Sequence, residues 1–252
     1  MFSEEQLSHD AFLCGRLHLL QPIKGYRAAT DPVLLAAACP AQSGQSVLDL
    51  GCGAGAAMLC LAARVPDLVL AGLELQPGYA DLARRNVIAN GFTAEIECGD
   101  LADMPRALRR GFDHVITNPP YYPQGGTPSP LGIRDTALRR ETPLGDWVQT
   151  AARRLNPGGW LTLICGADGL PEVLTALAPR MGSAAVLPLA AREGRAALRI
   201  LLRARKGGRG AFRLLAPFVL HQGPAHDGDR ESYTPAASEV LRHGAPLSAR
   251  FV

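Results

Sequence analysis

The chain reads as an α/β domain with a largely parallel sheet covered by helices on both faces. Three observations predict this. Short apolar runs alternate with helical patterns over most of the length, a glycine-rich turn joins the first core run to a helix, and acidic or amide residues stand where successive runs end. Such alternation marks parallel strands joined by helical crossovers. With 252 residues, 47% of them hydrophobic, the chain can bury one substantial core and modest additions.

Residues 1–45 are expected to form an N-terminal extension of short strands around Gln21-Pro22 and Gly25, packed on the core and its ligand site. Residues 46–220 carry the main domain. Its first strand, Ser46–Leu50, leads into Gly51-Cys52-Gly53-Ala54-Gly55 and then a helical run from Ala56 to Arg64. Glycines there let the backbone turn sharply and approach a nucleotide-like ligand that a side chain would block. Read as Gly51, Gly53 and Ala56, the same turn satisfies a loose dinucleotide fingerprint, so the glycines alone do not separate a nicotinamide cofactor from other nucleosides.

The second strand, Leu68–Leu73, ends at Glu74, whose carboxylate can accept from both hydroxyls of a ribose. A helix from Pro77 to Asn90 follows, opened by its proline and closed by Gly91. The third strand, Ala94–Cys98, runs into Gly99-Asp100-Leu101, with Asp100 placed to accept from an adenine amine. The fourth, Phe112–Thr117, delivers Asn118-Pro119-Pro120-Tyr121. A helix over Pro143–Leu155 stops at Asn156-Pro157-Gly158-Gly159, a fifth strand covers Trp160–Cys165, and a helix covers Leu170–Arg180. The sixth strand is Ala184–Leu189. In the seventh, Ala197–Ala204, Leu198, Ile200, Leu202 and Ala204 share one face, while Arg199 and Arg203, with Arg205 beyond, take the other. Residues 221–252 read as a C-terminal tail with a short helix over Ala236–Arg242.

Four strand ends thus carry a glycine turn, a ribose acid, a second acid and an amide-aromatic turn, all at the edge where open parallel sheets bind ligands. Asn118 and the Pro119 carbonyl can accept the two protons of an exocyclic amine, and Tyr121 can stack on the ring that bears it.

This ordered series resembles the class I S-adenosylmethionine-dependent methyltransferases of the Asn-Pro-Pro-Tyr type. The stretch from Phe12 to Arg27, followed by Thr30-Asp31-Pro32-Val33-Leu34-Leu35-Ala36, is similar to bacterial tRNA(Val) adenine-N(6) methyltransferases, and the similarity spans nearly the whole chain. The resemblance implies a Rossmann-like, seven-stranded, mostly parallel sheet whose seventh strand is antiparallel. It implies S-adenosyl-L-methionine as cofactor, held by Gly51, Gly53, Gly55, Glu74, Asp100, Leu101 and Asn118, with Thr30 and Asp31 closing its methionine end. It implies catalysis at Asn118, Pro119 and Tyr121, and a tRNA substrate methylated on the adenine just 3′ of the anticodon.

The net charge is only +3, and Lys24 and Lys206 are the only lysines, so the placement of the arginines matters more than their sum. If the sixth strand runs parallel to the first, Arg192 and Arg195 fall at the ligand edge and the dense run Arg203–Arg209 falls at the opposite one. RNA phosphates are therefore expected to meet Arg192, Arg195 and the loop bearing Arg134, Arg139 and Arg140. The six cysteines show no paired metal spacing, and His221 with His226, Asp227 and Asp229 reads as a solvated polar loop, so no metal is expected. An acidic start and the lack of a long apolar stretch lead to the expectation of a cytoplasmic protein.

Rival readings are a glutamine methyltransferase of release factors, a guanine amino methyltransferase of ribosomal RNA, a nicotinamide oxidoreductase, and an RNA-binding scaffold without turnover. The first carries a longer helical domain in front, the second more often has Phe at the place of Tyr121, and the third leaves the Asn-Pro-Pro-Tyr turn unexplained. The retained Gly51, Gly53, Gly55, Glu74, Asp100 and Asn118 argue against the fourth.

Overall fold

The computed structural model describes residues 1–120, 142–178, 180–225 and 232–251. The seven expected core strands are all present: β3 (Ser46–Leu50), β4 (Val69–Glu74), β5 (Ala94–Cys98), β6 (Phe112–Thr117), β7 (Leu155–Gly166), β8 (Met181–Ala190) and β9 (Ala197–Lys206). They lie in the order β8-β9-β7-β6-β3-β4-β5, with β9 antiparallel to both of its neighbours and the other contacts parallel. Two two-residue strands, β10 (Arg213–Leu214) and β11 (Phe218–Val219), extend the sheet beyond β8.

Strand residues alternate between two buried faces. Val47 and Ile116 pack on one side with helices α1 (Thr30–Ala38), α2 (Ala56–Ala62) and α3 (Pro77–Ala89). Leu48, Leu50 and Val115 pack on the other with α4 (Leu144–Arg154) and α5 (Leu170–Leu177). Strand β7 begins earlier than expected, because a register shift between Phe112 and His114 lets Leu155 pair before the Pro157-Gly158-Gly159 segment. Strand β9 divides as read between Ile200, Leu202 and Ala204 on one side and Arg199, Arg203 and Arg205 on the other, though its arginine side is also buried in part. It is an interior strand, Leu201 and Arg203 are buried on the α1 face, and the Arg203 guanidinium stacks between Trp160 and Phe251.

The N-terminal strands form a separate antiparallel hairpin, β1 (Leu7–Phe12) with β2 (Leu17–Pro22). Asn86 on α3 pins it. Its side chain accepts from the Leu20 N–H at 2.7 Å and donates to the Leu20 and Ala54 carbonyls at 3.0 and 2.9 Å, standing in for a third strand.

Helix α1 has no counterpart among the elements expected from sequence. Pro32–Ala38 are buried without a break, so the segment carries no amphipathic period to betray it. Arg64 closes its end through the Ala36 and Cys39 carbonyls. The C-terminal residues also join the core. Helix α6 (Pro235–His243) is capped by Thr234 and ended by left-handed Gly244, and Ala237, Val240, Leu247 and Phe251 pack in the same cluster as α1.

Candidate active site

The site forms at the C-terminal edge of the sheet, where β3 and β6 lie side by side and the chain leaves in opposite directions along the sheet. Leu50 pairs with Thr117, whose hydroxyl also donates to the Leu50 carbonyl at 2.9 Å. The next residues along each strand, Gly51 and Asn118, are thereby adjacent although 67 positions separate them. Glu74 ends β4, the next strand outward, and Asp100 follows the end of β5, the strand beyond it.

The turn needs its glycines. Gly51, Gly53 and Gly55 have φ of +71°, +55° and +85°, a region where a Cβ is strained. A Cβ on Gly51 would also lie 2.7 Å from the Trp147 ring. Between them, the Cys52 sulfur is buried against Gly72, where it fills space, and burial pushes its thiol well above the ordinary range.

Glu74 closes the turn from the β4 side. It is buried, and its carboxylate accepts from Gly53 N at 3.0 Å and Gln76 N at 2.8 Å. Asp100 is exposed and accepts from Ala102 N at 2.8 Å, with Leu101 partly buried beside it. Asn118 is partly exposed at the mouth, and its amide nitrogen donates to the Tyr26 hydroxyl at 3.2 Å; Pro119 is buried. The walls of the pocket include Gln21, Tyr26, Asp49, Gly51, Tyr79 and Asn118. Thr30 and Asp31 stand at the start of α1, where Asp31 pairs with Arg199 at 3.1 Å.

Several of these walls lie outside the residues expected from sequence. Asp49 is 2% exposed and accepts from Met58 N at 3.3 Å; burial, with Glu74 adding to it, pushes its carboxyl up to about 7. An acid inside an apolar strand was the signal available for it. Tyr26 is half exposed; partial desolvation of its phenol, with Asp31 and Asp49 nearby, raises it to about 12, so it keeps its proton at neutral pH.

The basic residues divide. Arg195 is exposed at the ligand edge. Arg192, expected to meet phosphates, is corrected: the residue is 9% exposed and its guanidinium donates to the Gln222 and Gly223 carbonyls, clamping the C-terminal segment. Tyr121, Arg134, Arg139 and Arg140 lie outside the described residues, as do His226, Asp227 and Asp229. The remaining member of that polar loop, His221, stacks on Tyr233. Among the described residues no cluster of three or more metal-ligating side chains occurs, and no helix is long and apolar enough to cross a membrane.

A nucleoside fits this edge, because the glycine turn leaves room for close approach and carboxylates stand at the two outward strand ends. Residues 29–178 match the methyltransferase small domain family. The chain belongs to it. The cofactor of this methyltransferase is S-adenosylmethionine. A relative from Porphyromonas gingivalis, tRNA1(Val) (adenine(37)-N6)-methyltransferase, is 34% identical over 65% of this chain and 68% of its own length. The protein of the same name from Actinobacillus succinogenes is 33% identical, with the match covering 46% of this chain and half of its own. A Streptomyces pristinaespiralis enzyme named 4-amino-L-phenylalanine/4-methylamino-L-phenylalanine methyltransferase is 37% identical over 50% and 46% of the two chains. Among solved structures, a predicted O-methyltransferase of Agrobacterium tumefaciens superposes with a TM-score of 0.70 at 27% identity, covering 86% of this chain and 98% of that one.

Proposed function

We propose that this methyltransferase modifies the exocyclic amino group of an adenine in tRNA, beside the anticodon. The observation that carries the reading is the Asn118 carboxamide at the mouth of the pocket, next to the glycine turn. In support, the tRNA1(Val) relatives are named for this reaction. The Streptomyces relative is named for an amine on an aromatic ring, the same kind of nucleophile.

When bound, S-adenosylmethionine supplies a methyl group activated by a sulfonium. Gly51, Gly53 and Gly55 are assigned to its close approach, Glu74 to its ribose, Asp100 and Leu101 to its adenine, and Thr30 and Asp31 to its methionine end. An aromatic amine is a weak nucleophile because its lone pair is delocalised into the ring. The Asn118 oxygen and the Pro119 carbonyl accept hydrogen bonds from its two N–H groups, turn the lone pair out of the ring plane, and stabilise positive charge developing on nitrogen. No strong base is needed, since a methylated aryl ammonium loses a proton readily. Tyr121 is assigned to stacking on the base, and Arg134, Arg139, Arg140 and Arg195 to phosphates.

Incubation of unmodified bulk tRNA with labelled S-adenosylmethionine, then nuclease digestion and mass spectrometry, tests this. Label in N6-methyladenine next to the anticodon is expected. Label on guanine, on protein, or in an arylamine amino acid alone would replace the reading.

A further inference from the structure

We infer that Tyr26 is a positioning residue for methyl transfer: its hydroxyl takes up the Asn118 NH2 and leaves the Asn118 oxygen as the atom presented to the incoming amine. The inference rests on the reading of Asn118 given above. The two ends of a carboxamide are nearly alike in shape and opposite in polarity. Presented to an amine, the oxygen end accepts a proton, whereas the NH2 end sets donor against donor. A carboxamide at an open pocket mouth rotates between these states unless a fixed partner holds one; a hydroxyl can accept from the NH2 or donate to the oxygen, and here it accepts from the NH2.

Tyr26 is such a partner, because the loop that bears it is held from several sides. Tyr79 on α3 donates to the Tyr26 carbonyl at 3.0 Å. Gly25 permits this approach, with φ of +124°, and a Cβ there would lie 2.9 Å from the Tyr79 hydroxyl. Arg27 binds Asp10 of β1 at 2.7 Å, and Gln21 of β2 accepts from Ala28 N at 2.6 Å. The Tyr26 ring itself lies across the glycine turn, 3.8 Å from where a Gly53 Cβ would stand. The hairpin and α3 thus place one phenol oxygen against one amide, across 92 residues of sequence.

The test joins spectroscopy and kinetics on the full chain. In 15N spectra without any methyl acceptor, the Asn118 side-chain NH2 signals are identified by their loss in Asn118→Ala. In Tyr26→Phe they are expected to move toward the values of exposed asparagines and to exchange with solvent about five- to tenfold faster, since the bond that holds them is gone. The single-turnover methylation rate is expected to fall roughly tenfold, about 1.4 kcal/mol of barrier. S-adenosylmethionine affinity by calorimetry should stay within about twofold, which separates positioning from binding. Added to Asn118→Ala, Tyr26→Phe should cost nothing more, because it acts through that amide.

Unmoved amide signals would overturn the inference, as would a rate loss explained by weaker cofactor binding or one that persists in full on the Asn118→Ala background. Failure of the unaltered protein to methylate tRNA would sink only the adenine reading, because the amide signals are read with no acceptor present.

Discussion

Gly51 and Asn118 sit side by side and answer to different physics. Gly51 serves the backbone: its φ of +71° and the Trp147 ring 2.7 Å from a would-be Cβ leave no room for a side chain. Gly51→Ala is expected to lower S-adenosylmethionine affinity at least about tenfold and to lower the melting temperature. The left-handed conformation alone costs a Cβ about 1–2 kcal/mol, and the ring must also move; calorimetry and a thermal melt check both. Asn118 is assigned to chemistry. Asn118→Ala is expected to leave cofactor affinity within about threefold and to reduce single-turnover methylation by about 100–1,000-fold, the usual loss when one preorganised polar contact to the reacting group is removed. Near-normal turnover would remove the role assigned to it.

At the scale of elements, the hairpin matters because it positions the Tyr26 loop; it is joined to the core by the apolar packing of Leu7, Leu17, Leu19 and Leu20 and by polar contacts, three of them from Asn86. That side chain is fully buried and serves the Leu20 N–H, the Leu20 carbonyl and the Ala54 carbonyl. Asn86→Ala leaves three buried backbone groups without their partner. It is expected to cost at least about 2 kcal/mol in urea denaturation and to weaken cofactor binding, since Ala54 belongs to the glycine turn. A loss within about 0.5 kcal/mol, typical of a surface site, would show the hairpin to be held by its apolar contacts instead. Elements whose sequence carries a period or a punctuating residue were legible: α3 opens at Pro77 as read, and β6 runs from Phe112 to Thr117. Helix α1 and the packing of α6 were not, because a segment buried on all sides has no polar face and a Pro- and Ala-rich terminus gives no sign of what it will cover.

Across the whole molecule, two buried groups pull stability in opposite directions with pH. Burial raises Asp49 to about 7, so its carboxyl stays protonated in the folded state while the unfolded one ionises near pH 4; its contribution to stability falls as pH rises from about 4 to 7. Burial lowers His114 to about 4, so it stays neutral when folded while the unfolded ring binds a proton below about 6.5. Its contribution rises over about pH 4 to 6.5. The two oppose each other over most of that window. Asp49→Asn removes one side, and its stability relative to the unaltered protein is expected to grow with pH from about 4 to 7 and then level, as measured by urea denaturation at several pH values. A difference that does not vary with pH would mean that Asp49 is ionised throughout.

The sequence by itself determined which residues end the strands, because apolar runs, glycines and prolines are local signals that fix where a strand stops and which residue comes next. It thereby specified the glycine turn, Glu74, Asp100 and Asn118. Only the tertiary structure decided their neighbours. In chain order Asn118 stands farthest from the glycines, yet the crossover after β5 returns the chain past β4 and lays β6 against β3. It also decided which cations face solvent, burying Arg192 and Arg203 while leaving Arg195 exposed. Strand pairing and burial are set by packing between distant segments, and no local pattern records them.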